Sequence, residues 1–379
     1  MARLTREAQN AIKKKYNTDT IYSWSRISCY AERPWEYYIR YIQKHKVDTN
    51  NVYTHFGTIV HDLVQGVYEG HHTKEELPQK FSDTVTEWSI SSNLKFPDEN
   101  IERGYIDNLK LYFEQVEILD VDMHIEKPVQ IVFEDGGRNI VFIGYIDAMY
   151  QDGDGNIIIL DFKTSSISGF TGKSLKESSK QLMLYAIGVS QMTGIPMERI
   201  QPRFDMAKYV KVSYLQKNGK WSKPSAKERV KMIESQENRI RKTLMDLKYD
   251  FFEAEDYIDK AKANNSFDGL PEEVRERFKV EQAYIDVEAT EETAKELEDW
   301  IIEQVKDLEH KLTLDNLDEV FPEPNLAVDK DSFFYYNLAP NLLAHHRGYQ
   351  EQKMLNERVE TELSIESVAD DDLLANLFK

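Results

Sequence analysis

Two short stretches carry residue types that could do metal-assisted chemistry. Gly144-Tyr145-Ile146-Asp147 and Ile159-Leu160-Asp161-Phe162-Lys163-Thr164 each run from apolar residues into charged ones. Carboxylates are hard oxygen ligands for Mg²⁺, an ion that keeps several waters and also takes phosphate oxygens. Such an ion polarises a phosphoryl oxygen and lowers the pKa of a bound water. A lysine beside it can orient the attacking water or stabilise developing charge. Two carboxylates and a lysine are therefore what phosphodiester hydrolysis needs. Alone, an Asp-x-Lys at a strand end is more often a solvated, weak ion pair.

Local elements decide whether the three side chains meet. Strands are predicted at 129–133, 139–150 and 156–162, joined by hairpins at Gly136-Gly137 and Asp152-Gly153-Asp154-Gly155. The run Ile157-Ile158-Ile159-Leu160 predicts a strand buried on both faces. Alternation puts Asp161 and Lys163 on one face, and the hairpin makes the Asp147 strand their neighbour. The turn Asp152-x-Asp154-x-Asn156 also matches the start of a calcium loop. Ile157 stands where that loop requires glycine, however, and Lys163 where it requires glutamate. Helices are predicted as an aromatic-rich pair over 20–46, then at 56–68, 105–119, 175–192, 225–248 and 291–312. Pro34 suits the first turn of the second helix of the pair, and Thr290 the N-cap of the last one. Further strands are predicted at 204–215 and 284–287. The fold class is α/β, a mixed central sheet flanked by helices, with helical additions.

The chain has 379 residues and a formal net charge of −19. That total disfavours a nucleic-acid binder, yet residues 201–242 hold 12 Lys and Arg against 4 Asp and Glu. Aromatics (Tyr209, Tyr214, Trp221) are interleaved there, which suits tracking a single strand and equally suits a solvated surface. The single cysteine, Cys29, rules out an internal disulfide framework and fits a reducing cytoplasm. No apolar run approaches ~20 residues, so no membrane span is expected. The N-terminus has no apolar stretch of the signal-peptide kind. No G-x-x-x-x-G-K-[ST] sequence is present, so any helicase would be a separate partner.

Three more patterns stand in a fixed order around the two stretches. They are Ser23-Trp24-Ser25-Arg26-Ile27 with Tyr30 and Arg33-Pro34, then Gly57-Thr58-Ile59-Val60-His61, and finally Gln181-Leu182-Met183-Leu184-Tyr185. Gln181 and Tyr185 share a helix face. Each is weak singly. In this order they resemble the RecB-like branch of the PD-(D/E)XK nucleases, which includes the RecB and AddB nuclease domains and CRISPR-associated RecB-like exonucleases.

By position, the resemblance implies that His61, Asp147 and Asp161 bind Mg²⁺ or Mn²⁺, that Asp147, Asp161 and Lys163 are catalytic, and that Gln181 and Tyr185 line the site. Glu126 stands where relatives often have an upstream acid, a position that also suits a solvated strand edge. Thr164 and Ser165 suit a phosphate contact or a turn cap. Many relatives hold an iron–sulfur cluster on four cysteines, one of them before a proline. Here Arg33 precedes Pro34, and the matching stretch 321–336 has no cysteine, so no cluster is expected. Aromatic packing is expected to join the two ends of the chain instead. The resemblance implies one nuclease domain over residues 1–345, with its core about 50–215, N-terminal helices over 1–48 and a C-terminal helical part over 222–345. Residues 346–379 read as an acidic tail, either disordered or a docking peptide for a replication or recombination partner. The expected activity is an exonuclease on single-stranded or duplex DNA ends, in recombination, repair or phage DNA metabolism. A structure-specific endonuclease and a non-catalytic DNA-end-binding subunit are the alternatives.

Overall fold

A computed structural model describes residues 4–48, 50–328 and 332–359. By contact these residues form two compact units, one comprising Met1–Trp24 and Val52–Ile302, the other Ser25–Asn51 and Glu303–Lys379. No helix among the described residues is long and apolar enough to cross a membrane.

The first unit is built on a seven-stranded mixed sheet. Its strands are β1 (Ile21–Tyr22), β2 (His124–Asp135), β3 (Arg138–Gln151), β4 (Ile157–Lys163), β5 (Ile200–Tyr214), β6 (Ser225–Glu228) and β7 (Phe278–Asp286). β2 and β3 form a long antiparallel hairpin closed by Gly136 and Gly137, both at positive φ. Only glycine takes two such residues in succession without a steric cost, which is why this turn is Gly-Gly. β3 runs antiparallel to β4, and β4 runs parallel to β5. The helix Gly172–Thr193 makes the crossover that a parallel pair requires. β5 then pairs antiparallel with both β6 and β7.

Helices Val52–Tyr68, Leu77–Ser91 and Glu99–Gln115 cover part of this sheet. Val52, Phe56, Ile59, Val60 and Val64 are buried at helical spacing along the first of them. Phe56 packs on Trp88 at 5.2 Å and Phe96 at 5.6 Å, over Ala148, Ile158 and Leu160 of the sheet. The N-terminal helix Arg6–Tyr16 docks on the hairpin: Gln130 Nε2 donates to the Tyr16 hydroxyl at 2.7 Å and Asn139 Nδ2 to the Tyr16 carbonyl at 3.1 Å.

The stretch 225–248 is not one helix. Ser225–Glu228 is strand β6, short 3₁₀ turns follow, and only Glu237–Asp246 is α-helical. The cause is tertiary. Arg229, which a helix would leave in solvent, is 2 % exposed and donates from Nε to the Ala207 carbonyl (2.7 Å), from Nη1 to Gln115 (2.8 Å) and from Nη2 to Gln282 (2.6 Å). Gln282 in turn donates to Asp205, and the Tyr112 hydroxyl lies 3.4 Å from the same carboxylate. Where this network sits, the β5–β7 ladder breaks. Pairing stops at Asp205↔Tyr284 and resumes at Val210↔Gln282, so residues 206–209 of β5 face Ala283 alone.

In the second unit, aromatic side chains join residues 25–51 to the C-terminal segment, as the sequence suggested. Tyr38 stacks on Phe321 at 5.4 Å, and Trp35 meets Tyr335 at 5.6 Å and His346 at 5.5 Å. Glu36, 2 % exposed, holds both Arg33 (2.6 Å) and Arg40 (2.7 Å). Residues 347–359, assigned from sequence to a tail, are helical, and 360–379 lie outside the described residues.

Burial pushes the Asp205 carboxyl up to about 6, against lowering by Gln282, Arg229 and Tyr112. A carboxyl raised on folding contributes stability below its unfolded pKa, and that contribution is lost as pH rises through the folded value. We therefore expect Asp205→Asn to gain stability relative to wild type as pH rises from about 4 to about 6. Urea midpoints of both proteins across that window check this; a pH-independent difference would refute the assignment.

Candidate active site

The β3–β4 ladder pairs Gln151↔Ile157 through Ala148↔Leu160, and Asp147 and Asp161 are the next residues along each strand. On the other side of β3, the pairs Ile125↔Ala148 and Lys127↔Ile146 bracket Glu126 opposite Asp147. Register thus lines Glu126, Asp147 and Asp161 across three strands. Glu126 itself takes φ 50°, the left-handed region that a non-glycine residue enters only at a cost.

Alternation predicted that Asp161 and Lys163 share a face, and Lys163 Nζ lies 2.5 Å from Asp161 Oδ2. That oxygen is shielded from solvent and has no well-directed hydrogen bond, so its partner is the ammonium charge alone. His61 reaches both acidic strands from the helix Val52–Tyr68. Its Nε2 donates to the Phe162 carbonyl at 3.0 Å, and its Nδ1 lies 3.4 Å from Asp147 Oδ2.

These contacts concentrate electron-rich atoms in a poorly hydrated place. Burial first, and Asp161 second, push the Asp147 carboxyl up to about 7, while His61 and Lys163 pull the other way and Glu126 adds to the rise. Burial works against the charge on Lys163, but Asp161 and Asp147 prevail and hold its ammonium above the usual range. The donor set, two carboxylates and an imidazole nitrogen whose ring is anchored on the Phe162 carbonyl, suits a hard divalent cation in type and charge. Among the described residues, no three His, Cys, Asp or Glu side chains are drawn together closely enough to enclose a metal as they stand. The fit therefore lies in donor chemistry and in the excess of negative charge, with Asp161 committed to its lysine.

Gln181 and Tyr185 form one wall. Gln181 Nε2 donates to the Tyr185 hydroxyl at 2.9 Å. Burial lifts that phenol to about 12, and Asp147 and Asp161 add to the rise, so the ring stands within the field of both acids. Gly144 is glycine for a packing reason: a Cβ there would come 2.3 Å from Tyr185 Cε1. Thr164 is buried beside Gly57, and its side chain works against the rise that burial imposes on the Tyr105 phenol. Arg26 and Tyr30 of the N-terminal motif lie in the second unit. Arg26 donates to the Tyr37 hydroxyl at 3.0 Å, and Tyr30 bonds Asp307 and accepts from Lys311 at 3.0 Å.

Two participants were not legible from sequence. The Phe162 carbonyl is a main-chain group, which no side-chain pattern marks. Tyr105 is one tyrosine on an amphipathic helix, and only the packing of that helix against Thr164 singles it out.

A mixed sheet crossed by one helix, with an acid on each of two neighbouring strands and a lysine two residues beyond the second, defines a nuclease-type scaffold. A model of the PD-(D/E)XK nuclease superfamily matches residues 21–309, and the chain belongs to that superfamily. Among solved structures, one described as "Crystal structure of SSO0001" is 21% identical, covering 45% of this chain and 77% of that chain with a TM-score of 0.20. That likeness bears on neither fold nor function. No curated protein matches the chain.

Adding a methyl group at Gly144 forces the Tyr185 ring out of place. Overpacking of this kind costs about 1–3 kcal/mol. Gly144→Ala should lose about that much stability, and the loss should disappear in a Tyr185→Ala background, where the space is open. A double-mutant cycle by urea denaturation reads the coupling; an equal cost in both backgrounds would mean that the ring does not set the residue.

Proposed function

We propose that this chain is a Mg²⁺- or Mn²⁺-dependent deoxyribonuclease of the RecB-like type, acting as an exonuclease on single-stranded or duplex DNA ends. The observation that carries this reading is the meeting of His61, Asp147, Asp161 and Lys163 within 3.4 Å contacts on two adjoining strands and one helix. Membership of a nuclease superfamily supports it. The proposed nuclease domain runs over residues 1–345.

In this reading His61, Asp147 and Asp161 hold the ion. When bound, it supplies Lewis acidity to the scissile phosphoryl group and a water of lowered pKa. The Nε2–Phe162 bond keeps the His61 ring aimed at Asp147. Lys163, whose charge the two acids stabilise, orients the attacking water or meets the charge developing on the phosphate. Tyr185 and Gln181 close the wall beside the acids and keep bulk water from them. Recombination, repair or phage DNA metabolism would use such an activity, with any helicase as a separate chain. The docking peptide for a replication or recombination partner expected at 370–378 lies outside the described residues.

Lys163→Ala and Asp161→Asn should each lower cleavage by at least about 10²-fold while leaving the circular-dichroism spectrum unchanged. The assay is end-labelled linear single- and double-stranded DNA beside covalently closed circles, with Mg²⁺, Mn²⁺ or EDTA. Metal-dependent loss of linear DNA alone supports the exonuclease. Cut circles point to an endonuclease. Near-normal activity in both variants overturns the site.

A further inference from the structure

The broken ladder between β5 and β7 has a product: it presents Lys208. Met206 is the cross-strand partner of Lys163, and Lys208 stands two residues farther along β5, roughly 7 Å on for extended chain. Its Nζ lies 4.2 Å from the centre of the Tyr105 ring, whose phenol is also influenced by Thr164, the residue after Lys163. The side chain is half-buried. Among the described residues no carboxylate lies within ion-pair distance of Nζ and no acceptor takes a hydrogen bond from it. Glu228 reaches it only through its field and is itself engaged by Lys231 at 2.9 Å.

A half-buried ammonium without a counter-ion is costly, and the ring beneath it offsets only part of that cost. Burial accordingly lowers its pKa to about 8. The backbone that holds it there is braced at further expense. Arg229, a buried cation, donates to the carbonyl of Ala207, and Asp205, a buried acid, is held by Gln282. Bulges beside active sites commonly re-aim a side chain, and this one leaves an unpaired cation on β5 just beyond the cross-strand partner of Lys163.

We propose, resting on the nuclease reading of the adjoining acids, that Lys208 binds a backbone phosphate of the nucleic-acid strand next to the scissile one and so fixes the strand's register over Asp147 and Asp161. A phosphate supplies the missing counter-charge. The Tyr105 ring beneath it supports the ammonium. Lys208 is a positioning residue and takes no part in bond breaking.

The test uses the full chain with Lys208→Gln, Lys208→Met (which keeps the apolar stem over Tyr105) and Lys208→Arg. Binding of a fluorescein-labelled single strand is followed by anisotropy in EDTA across a KCl series, and steady-state cleavage is followed with Mg²⁺. The neutral variants should bind about tenfold more weakly. Their log K against log[KCl] slopes should be shallower by about 0.7–0.9, as expected when one fewer phosphate is neutralised. KM should rise by a larger factor than kcat falls, and Lys208→Arg should recover most of the affinity. Thermal stability should hold or rise, because an uncompensated charge has been removed. An unchanged salt slope overturns the proposal, as does weaker binding that tracks a loss of stability. A wild-type chain that neither binds nor cuts nucleic acid overturns the nuclease reading itself, and this inference with it; a wild type that does both, beside unaltered variants, overturns Lys208 alone.

Discussion

Two carboxylates held side by side on neighbouring inner strands, Asp147 on β3 and Asp161 on β4, are the constraint on which the rest of this structure turns. Like charges a few ångströms apart repel by several kcal/mol at the effective dielectric of a protein surface. Nothing in the backbone of β3 or β4 relieves that. Relief comes from side chains brought in from beyond the pair: the ammonium of Lys163 on Asp161 and the imidazole of His61 beside Asp147. Burial first, and Asp161 second, still leave the Asp147 carboxyl raised, against the pull of His61 and Lys163.

Seating those acids imposes tight steric demands on their neighbours. The crossover helix approaches so closely that Tyr185 occupies the place of a β-carbon at Gly144, and at Gly188 an added carbon would meet Val129 and Ile131. The same closeness lets the Tyr185–Gln181 pair wall the acids. Glu126 accepts a left-handed backbone near the start of a long strand, and the β5 ladder gives way beside Asp205. Departures from regular sheet geometry gather around the acids and around the buried Arg229 network. In both places the irregularity is sustained by the surrounding contacts, which is how a folded chain retains conformations its sequence alone would not favour.

The second unit solves a different problem. Its residues come from sequence positions about 25–51 and 303–359, so closing it joins segments far apart in the chain. Offset and edge-on aromatic pairs around Phe321, Trp35 and Tyr335 supply area and directional packing for that closure. Glu36, buried between Arg33 and Arg40, adds a charge triad in which each partner would be costly to leave alone. Cys29 is buried nearby, its thiol pushed up to about 12 chiefly by burial.

Much of this protein was legible in the residues themselves. The β-hairpin glycines, the unbroken apolar run of β4 and the period-two placement of Asp161 and Lys163 are local properties, encoded within a few neighbours and realised as written. So are the helices carrying His61 and Gln181-x-x-x-Tyr185, whose apolar spacing is explicit. The sequence misled where long-range contacts outweighed local preference. The stretch 225–248 has the composition of a charged helix, but burial of Arg229 against Ala207, Gln115 and Gln282 turned its start into a strand and a set of turns. The order and chemistry of the acidic, basic and imidazole groups belonged to the sequence from the outset. Which main-chain carbonyl joins them, why Gly144 must lack a side chain and where Lys208 points were decided only when distant segments packed together, because each depends on a distance between atoms that the chain does not bring together until it folds.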